Sequence, residues 1–271
     1  MIMKNNTAIS WVFLGVLLVA TWGGLTGCSA VPITGRSRSV VMDEARLASV
    51  SETEYKKLMS QSKESQDASA NAMVSRVAKQ MVAATESLAK DYGFSQDLAF
   101  YKWRFTLIED PKMVNAFCLP GGKIVVYTGI LPIAQDDAGL AVIVGHEIAH
   151  AIAKHGNERM SQTALVNLGS IILDKTLETS TEETKSLFGG IYGLGTTLGV
   201  LLPYSRLHET EADRIGLILM KKAGYDPKAA IGFWQRMSAQ SGGKTPAEFL
   251  STHPSDATRI ADIKALIDKG L

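Results

Sequence analysis

The stretch VGHEIAHAIAKHG, Val144 to Gly156, sets His146 and His150 four residues apart in an otherwise apolar run, with Glu147 beside the first. Residues four apart on a helix project from the same face, so both imidazoles can reach one ion. A Zn²⁺ takes imidazole nitrogen at about 2.0–2.1 Å. Glu147 lies about 100° farther round the helix, beside such an ion and not on it. A carboxylate there can take a proton from a water whose pKa the metal has lowered. Without that role, Glu147 would be buried in an apolar segment with no partner, which is costly. HExxH on a helix is therefore a spacing that hydrolysis requires.

The third ligand has to come from elsewhere. The pattern HExxHxxGxxH is excluded, because Ala153 and Gly156 stand where its glycine and third histidine belong. Downstream, SRLHETEADRIG (Ser205 to Gly216) places Glu209 and Asp213 on one face of another predicted helix, with Glu211 turned elsewhere. Glu209 as a ligand leaves one coordination position open for water and substrate. Asp213 can accept the second ring N–H of a ligand histidine and fix its orientation.

HEIAH followed by ExxAD resembles the zinc metallopeptidases related to HtpX and the CAAX prenyl protease. NAFCLPGGKIVVYTGIL (Asn115 to Leu131) and THPSDATRI (Thr252 to Ile260) extend the likeness over most of 68–271, although Cys118 replaces the family's alanine. The resemblance implies a zincin-like domain with one Zn²⁺ per chain on His146, His150 and Glu209. It also implies Glu147 as general base and Asp213 in support. Gly121, Gly122, Lys123 and Ile124 match the edge that pairs with substrate backbone by strand addition, a mode that favours extended, unfolded segments. His253 matches a histidine that can close the fourth position, either as a plug or as a late ligand; it is otherwise a turn residue. Tyr204, Arg206 and His253 are the candidates for stabilising the oxyanion.

The N-terminus reads as a leader. Lys4 precedes the apolar run Ala8–Trp22, which has the length of a signal peptide's core and is short of the ~20 residues of a spanning helix. Leu25-Thr26-Gly27-Cys28 resembles the lipobox of bacterial lipoproteins. That likeness implies removal of 1–27, lipid on Cys28, and a place at the outer membrane facing the periplasm. The branch so implied is the BepA/LoiP-like lipoproteins, related to the mitochondrial inner-membrane quality-control peptidase. Cys118 is then left without a disulfide partner and reads as a small buried residue.

The remaining pattern fits one α+β domain, mostly helical with a small sheet. Residues 28–67 read as a tether and a first helix, and 68–271 as the peptidase domain. Helices are expected at Asp43–Leu58, Ala68–Tyr92, Asp136–His155, Asn157–Leu177, Glu183–Leu202, Arg206–Ala223, Pro227–Ala239 and Ala257–Lys269. A strand is expected within Ala99–Glu109, and a hairpin across Pro120-Gly121-Gly122. Leu187–Leu202, rich in glycine, is either core packing against the catalytic helices or a membrane-facing or mobile element. His155 reads as a cation at a helix C-terminus, and His208 as a residue of the surface or of a helix interface. With 28 basic against 27 acidic residues, no basic stripe of the kind nucleic acid needs is present. The function expected is cleavage of unfolded or misassembled envelope proteins, with envelope assembly machinery as a further partner. The rival is a chaperone-like assembly lipoprotein whose zinc is latent or structural.

Overall fold

Asp43 and Asp67 start the first two helices, each side chain accepting a backbone N–H of the opening turn. The computed structural model describes residues 28–166, 205–240, 249–250, 253 and 257–271. The leader 1–27, Leu187–Leu202 and Tyr204 lie outside the described residues. In chain order the elements are β1 (Cys28–Ala30), β2 (Ser37–Ser39), α1 (Glu44–Gln61), α2 (Ala68–Asp91), β3 (Arg104–Ile108), β4 (Ala116–Leu119) and β5 (Lys123–Tyr127). They continue with α3 (Leu131–Ala134), α4 (Asp137–Ile152), α5 (His155–Val166), α6 (Arg206–Lys222), α7 (Ala229–Gln240) and α8 (Ala257–Asp268). The fold is mostly helical with small sheets, the α+β class expected.

Helix α4 is the centre of the molecule. Every residue from Gly139 to His150 is buried, against α2, α6, α7 and β4. Its apolar residues Leu140, Ile143 and Ile148 are each worth about 1.5–3 kcal/mol on full burial. Helix α6 reaches α4 through two glycines: a Cβ on Gly216 would stand 3.1 Å from Gly145 C and His146 N. This close crossing is what carries the α6 carboxylates to the α4 histidines.

The hairpin expected across Pro120-Gly121-Gly122 forms, with Gly121 and Gly122 at φ +78 and +83. Its partner was not foreseen. The three-stranded sheet runs β3-β5-β4, with β3 parallel and β4 antiparallel to β5. Lys123 and Ile124 thus lie in the central strand, paired on one side with Arg104 and Phe105 and on the other with Leu119 and Cys118. The carbonyls of Gly121 and Gly122 accept the N–H groups of Lys102 and Arg104. Lys123 is itself buried, its Nζ 3.3 Å from Glu52. The expected substrate edge at Gly121–Ile124 is therefore corrected. Among the described residues the open edge next to α4 is β4, which the sequence pattern concealed because β3 inserts beside β5 out of chain order.

The segment expected as a tether is docked. Strand β1 pairs with β2, Cys28 opposite Ser39, and the connection presses Val31 into the main core. Arg38 is buried and donates to the carbonyl of Ile152. Helix α1 packs Leu47 and Tyr55 against Phe117, Leu119 and Val125 of the sheet. Two expected helices, Asp136–His155 and Asn157–Leu177, meet differently from the reading above. Helix α4 stops at Ile152, Lys154 takes φ +58, and α5 opens at His155.

Candidate metal centre and active site

His146 and His150 sit one turn apart on α4, both buried, with their Nε2 atoms 3.0 Å apart. Glu209 stands in the first turn of α6, which Ser205 caps. Its Oε2 is 3.4 Å from His146 Nε2 and its Oε1 is 3.3 Å from His150 Nε2. His253 adds a fourth donor: Nδ1 lies 3.2 Å from His146 Nε2 and 3.1 Å from Glu209 Oε1. All four ligand atoms fall within 4.8 Å of one another. Ligands at about 2.0–2.1 Å from a tetrahedral Zn²⁺ stand about 3.3 Å apart, so the donor set fits that ion in identity and spacing.

The electrostatics agree. Burial works against charge on the His146 ring, yet Glu209 and Asp213 raise it to about 9. Burial would also raise Glu209, but His253 and His146 hold its carboxyl well below the usual range. The cluster as built therefore attracts positive charge. His150 is different: burial lowers it well below its ordinary value.

Asp213 Oδ1 lies 3.0 Å from His146 Nδ1, the orientation an outer carboxylate gives a ligand histidine. Glu147 points the other way round the helix. Its Oε2 accepts the N–H of Cys118 on the β4 edge at 3.2 Å. Its Oε1 is buried with no hydrogen bond among the described residues, and His253 Nε2 is 3.4 Å away. Burial pushes the Glu147 carboxyl up, against the pull of His253 and His146. Cys118 is buried beside it. Burial and then the Glu147 charge push its thiol well above the ordinary value, which leaves no thiolate for nucleophilic work.

Arg259 was missed by the sequence reading. Its buried guanidinium donates to Asp213 through Nε and Nη2, both at 2.8 Å. Its Nη1 stands 2.9 Å from Glu209 Oε2, and the group stacks 3.5 Å from the Trp234 ring centroid. The only signal was its place in THPSDATRI, with nothing to connect a lone arginine to carboxylates some 50 residues upstream. Arg206, a suggested oxyanion donor, is exposed at the start of α6 and lines a cavity with Glu209, Asp213 and Arg259.

One histidine is corrected. His155 is fully buried at the head of α5, not a cation at a helix end. Its Nδ1 is 2.9 Å from His150 Nδ1, and its Nε2 is 2.9 Å from Glu211 Oε2. His208 stacks on it, ring centroids 4.4 Å apart, and contacts Glu158 at 3.1 Å. Burial lowers both rings, His208 to about 4. Glu211, turned away from Glu209 as the helical spacing implies, also accepts from Thr34 and from Arg36 Nε at 2.7 Å.

A helix-borne His-Glu-His set completed by a carboxylate from a second helix is the site of a zinc metallopeptidase. The model of Peptidase family M48 matches residues 75–267, and the chain belongs to that family. It is a zinc metalloendopeptidase. Among its relatives, the mitochondrial metalloendopeptidase OMA1 of Schizosaccharomyces pombe is 39% identical over 96% of this chain and 72% of its own length. OMA1 of Homo sapiens is 32% identical over 95% of this chain and 49% of its own length. The beta-barrel assembly-enhancing protease of Escherichia coli is 29% identical over 60% of this chain and 34% of its own length. The expected place at a bacterial outer membrane is overturned by these relatives. Those that align along nearly the whole chain are mitochondrial proteins of eukaryotes. They lend no support to lipid on Cys28 or to envelope assembly machinery as a partner.

Proposed function

We propose that the enzyme cleaves extended segments of unfolded or misassembled proteins, with His146, His150 and Glu209 holding its zinc and Glu147 as general base. The observation that carries this reading is the Glu147 carboxylate, buried beside the ligand cluster with Oε1 unbonded among the described residues. A structural metal site has no use for such a group. When bound, zinc supplies Lewis acidity, polarising the scissile carbonyl and making water acidic enough to surrender a proton. Glu147 Oε1 accepts that proton and passes it to the leaving nitrogen, while the Cys118 N–H holds Oε2. Asp213 keeps His146 oriented. Strand β4, the sheet edge next to α4, offers backbone for pairing with an extended substrate, and backbone pairing suits clients of varied sequence.

The test is cleavage of casein by the wild-type chain and by Glu147→Gln, with zinc measured in both. Cleavage is expected to fall by about 10²–10⁴-fold in the variant at unchanged zinc content. Wild-type cleavage by Glu147→Gln would remove Glu147 as the base. A second reading, an assembly or binding protein with a latent zinc site, is favoured by His253, which stands where the fourth ligand belongs. It predicts that neither protein cleaves although both hold zinc. Cleavage that appears in His253→Ala would then identify a plugged peptidase.

A further inference from the structure

The buried contacts behind His150 run in one direction. Glu211 takes Thr34 Oγ1 on its Oε1 and the Arg36 guanidinium on its Oε2, and a carboxylate ion-paired to an arginine that keeps its proton only accepts. The 2.9 Å contact from His155 Nε2 to Glu211 Oε2 therefore carries the His155 proton on Nε2. In a neutral ring Nδ1 is then the acceptor. It faces His150 Nδ1 at 2.9 Å, so His150 Nδ1 is the donor. That leaves the lone pair of His150 on Nε2, the atom that faces His146 and Glu209. The direction of the whole chain follows from the Thr34 and Arg36 donors that make Glu211 an acceptor.

Glu211 is itself fixed from outside the family's matched region, which begins at residue 75. Thr34 donates to its Oε1 and Arg36 Nε to its Oε2. Arg36 is clamped in turn by Glu158, Nη1 to Oε1 at 3.0 Å and Nη2 to Oε2 at 2.8 Å. His208, stacked on His155 and bonded to Glu158, closes the cluster on its remaining side. The link between β1 and β2 thus ends three hydrogen bonds behind a metal-facing imidazole.

We propose that His155 is the positioning residue for His150, and that Thr34 and Arg36 of the β1–β2 connection lock it through Glu211, making the N-terminal segment a working part of the metal centre. The inference rests on the zinc reading above. It gives a relay from ligand histidine to histidine to carboxylate to arginine, in place of the single outer carboxylate that serves His146 through Asp213. Outer partners of this kind orient the ligand ring and raise its basicity, and their loss typically weakens metal binding 10–100-fold.

The experiment is zinc affinity of the full chain, by competition with a chromogenic chelator, joined to the visible spectrum of the Co²⁺-loaded protein. His155→Leu keeps bulk and removes the acceptor, so zinc Kd should rise by about 10–100-fold and the Co²⁺ bands should shift. His155→Gln should restore most of the affinity, since its amide can accept from His150 and donate to Glu211. Arg36→Met, on a partly exposed side chain, should raise Kd by about tenfold. A folded His155→Leu with wild-type affinity and Co²⁺ spectrum overturns the proposal, and so does a His155→Gln no better than His155→Leu. If His155→Leu does not fold, Arg36→Met decides: unchanged affinity there overturns the role of the N-terminal segment. His150→Ala separates this inference from the reading beneath it. Zinc retained in His150→Ala sinks the metal centre itself, whereas zinc lost there but kept in His155→Leu sinks only the relay.

Discussion

Arg259 places one guanidinium between two buried carboxylates, Asp213 at 2.8 Å and Glu209 at 2.9 Å. Removing one partner of a buried ion pair leaves an uncompensated charge, at a cost on the order of 3–5 kcal/mol. Here the loss should depend on zinc, because a bound dication supplies positive charge to the same two carboxylates. Arg259→Met is therefore expected to destabilise the metal-free protein by roughly that amount and the zinc-loaded protein by clearly less. Urea unfolding in chelator and in zinc measures both. Equal losses in the two states would show that the arginine serves packing on Trp234 and not charge. Arg259→Lys should recover little, since an ammonium cannot make the forked contacts or the stack. Residues of this kind mark what could be read early. His146, Glu147 and His150 were legible because one helix turn fixes their geometry. Arg259 and His155 were not, because their partners come from other elements.

Gly145 and Gly216 decide how near two helices come, and hence whether the site exists at all. A Cβ on Gly216 would stand 3.1 Å from Gly145 C and His146 N, and backbone has little room to give. Gly216→Val is expected to force α6 off α4, at about 1–3 kcal/mol for overpacking, and to weaken zinc binding because Glu209 and Asp213 retreat with the helix. Unfolding midpoints and zinc affinity would both register it. Wild-type values for both would mean that the crossing relaxes elsewhere and does not set the ligand spacing. The helical elements were mostly legible, since α2 and α6 carry clear apolar faces and Asp43, Asp67 and Ser205 signal the starts of α1, α2 and α6. Two features escaped for one physical reason each. Strand β5 became central because β3 pairs with it in parallel, a non-local contact that the hairpin signal at Pro120-Gly121-Gly122 cannot report. The break after Ile152 depends on Lys154 at φ +58, a conformation usually marked by glycine, which a lysine does not announce.

At the scale of the whole molecule the question is whether zinc holds the fold or is held by it. The main core joins α2, α4, α6, α7 and the sheet through aliphatic and aromatic residues such as Met81, Leu140, Ile148, Ile215 and Phe233, all fully buried. That burial does not pass through the ligand cluster. The ligands also have one another and Arg259 as partners: Glu209 touches His146, His150, His253 and the guanidinium within 3.4 Å. A protein built this way should stay folded without metal, though less stably. At free zinc about 1,000-fold above Kd, binding contributes about 4.1 kcal/mol, and for a chain of this size each kcal/mol shifts Tm by about 2–4 °C. Chelation is accordingly expected to lower Tm by roughly 8–16 °C while the far-UV circular dichroism at 25 °C stays helical, and added zinc should restore the midpoint. Metal-nucleated domains behave otherwise, unfolding outright when the ion is withdrawn. Collapse of the helical signal at 25 °C on chelation would therefore assign the zinc to the fold, and a Tm that ignores both chelator and zinc would mean that these four side chains do not hold the ion.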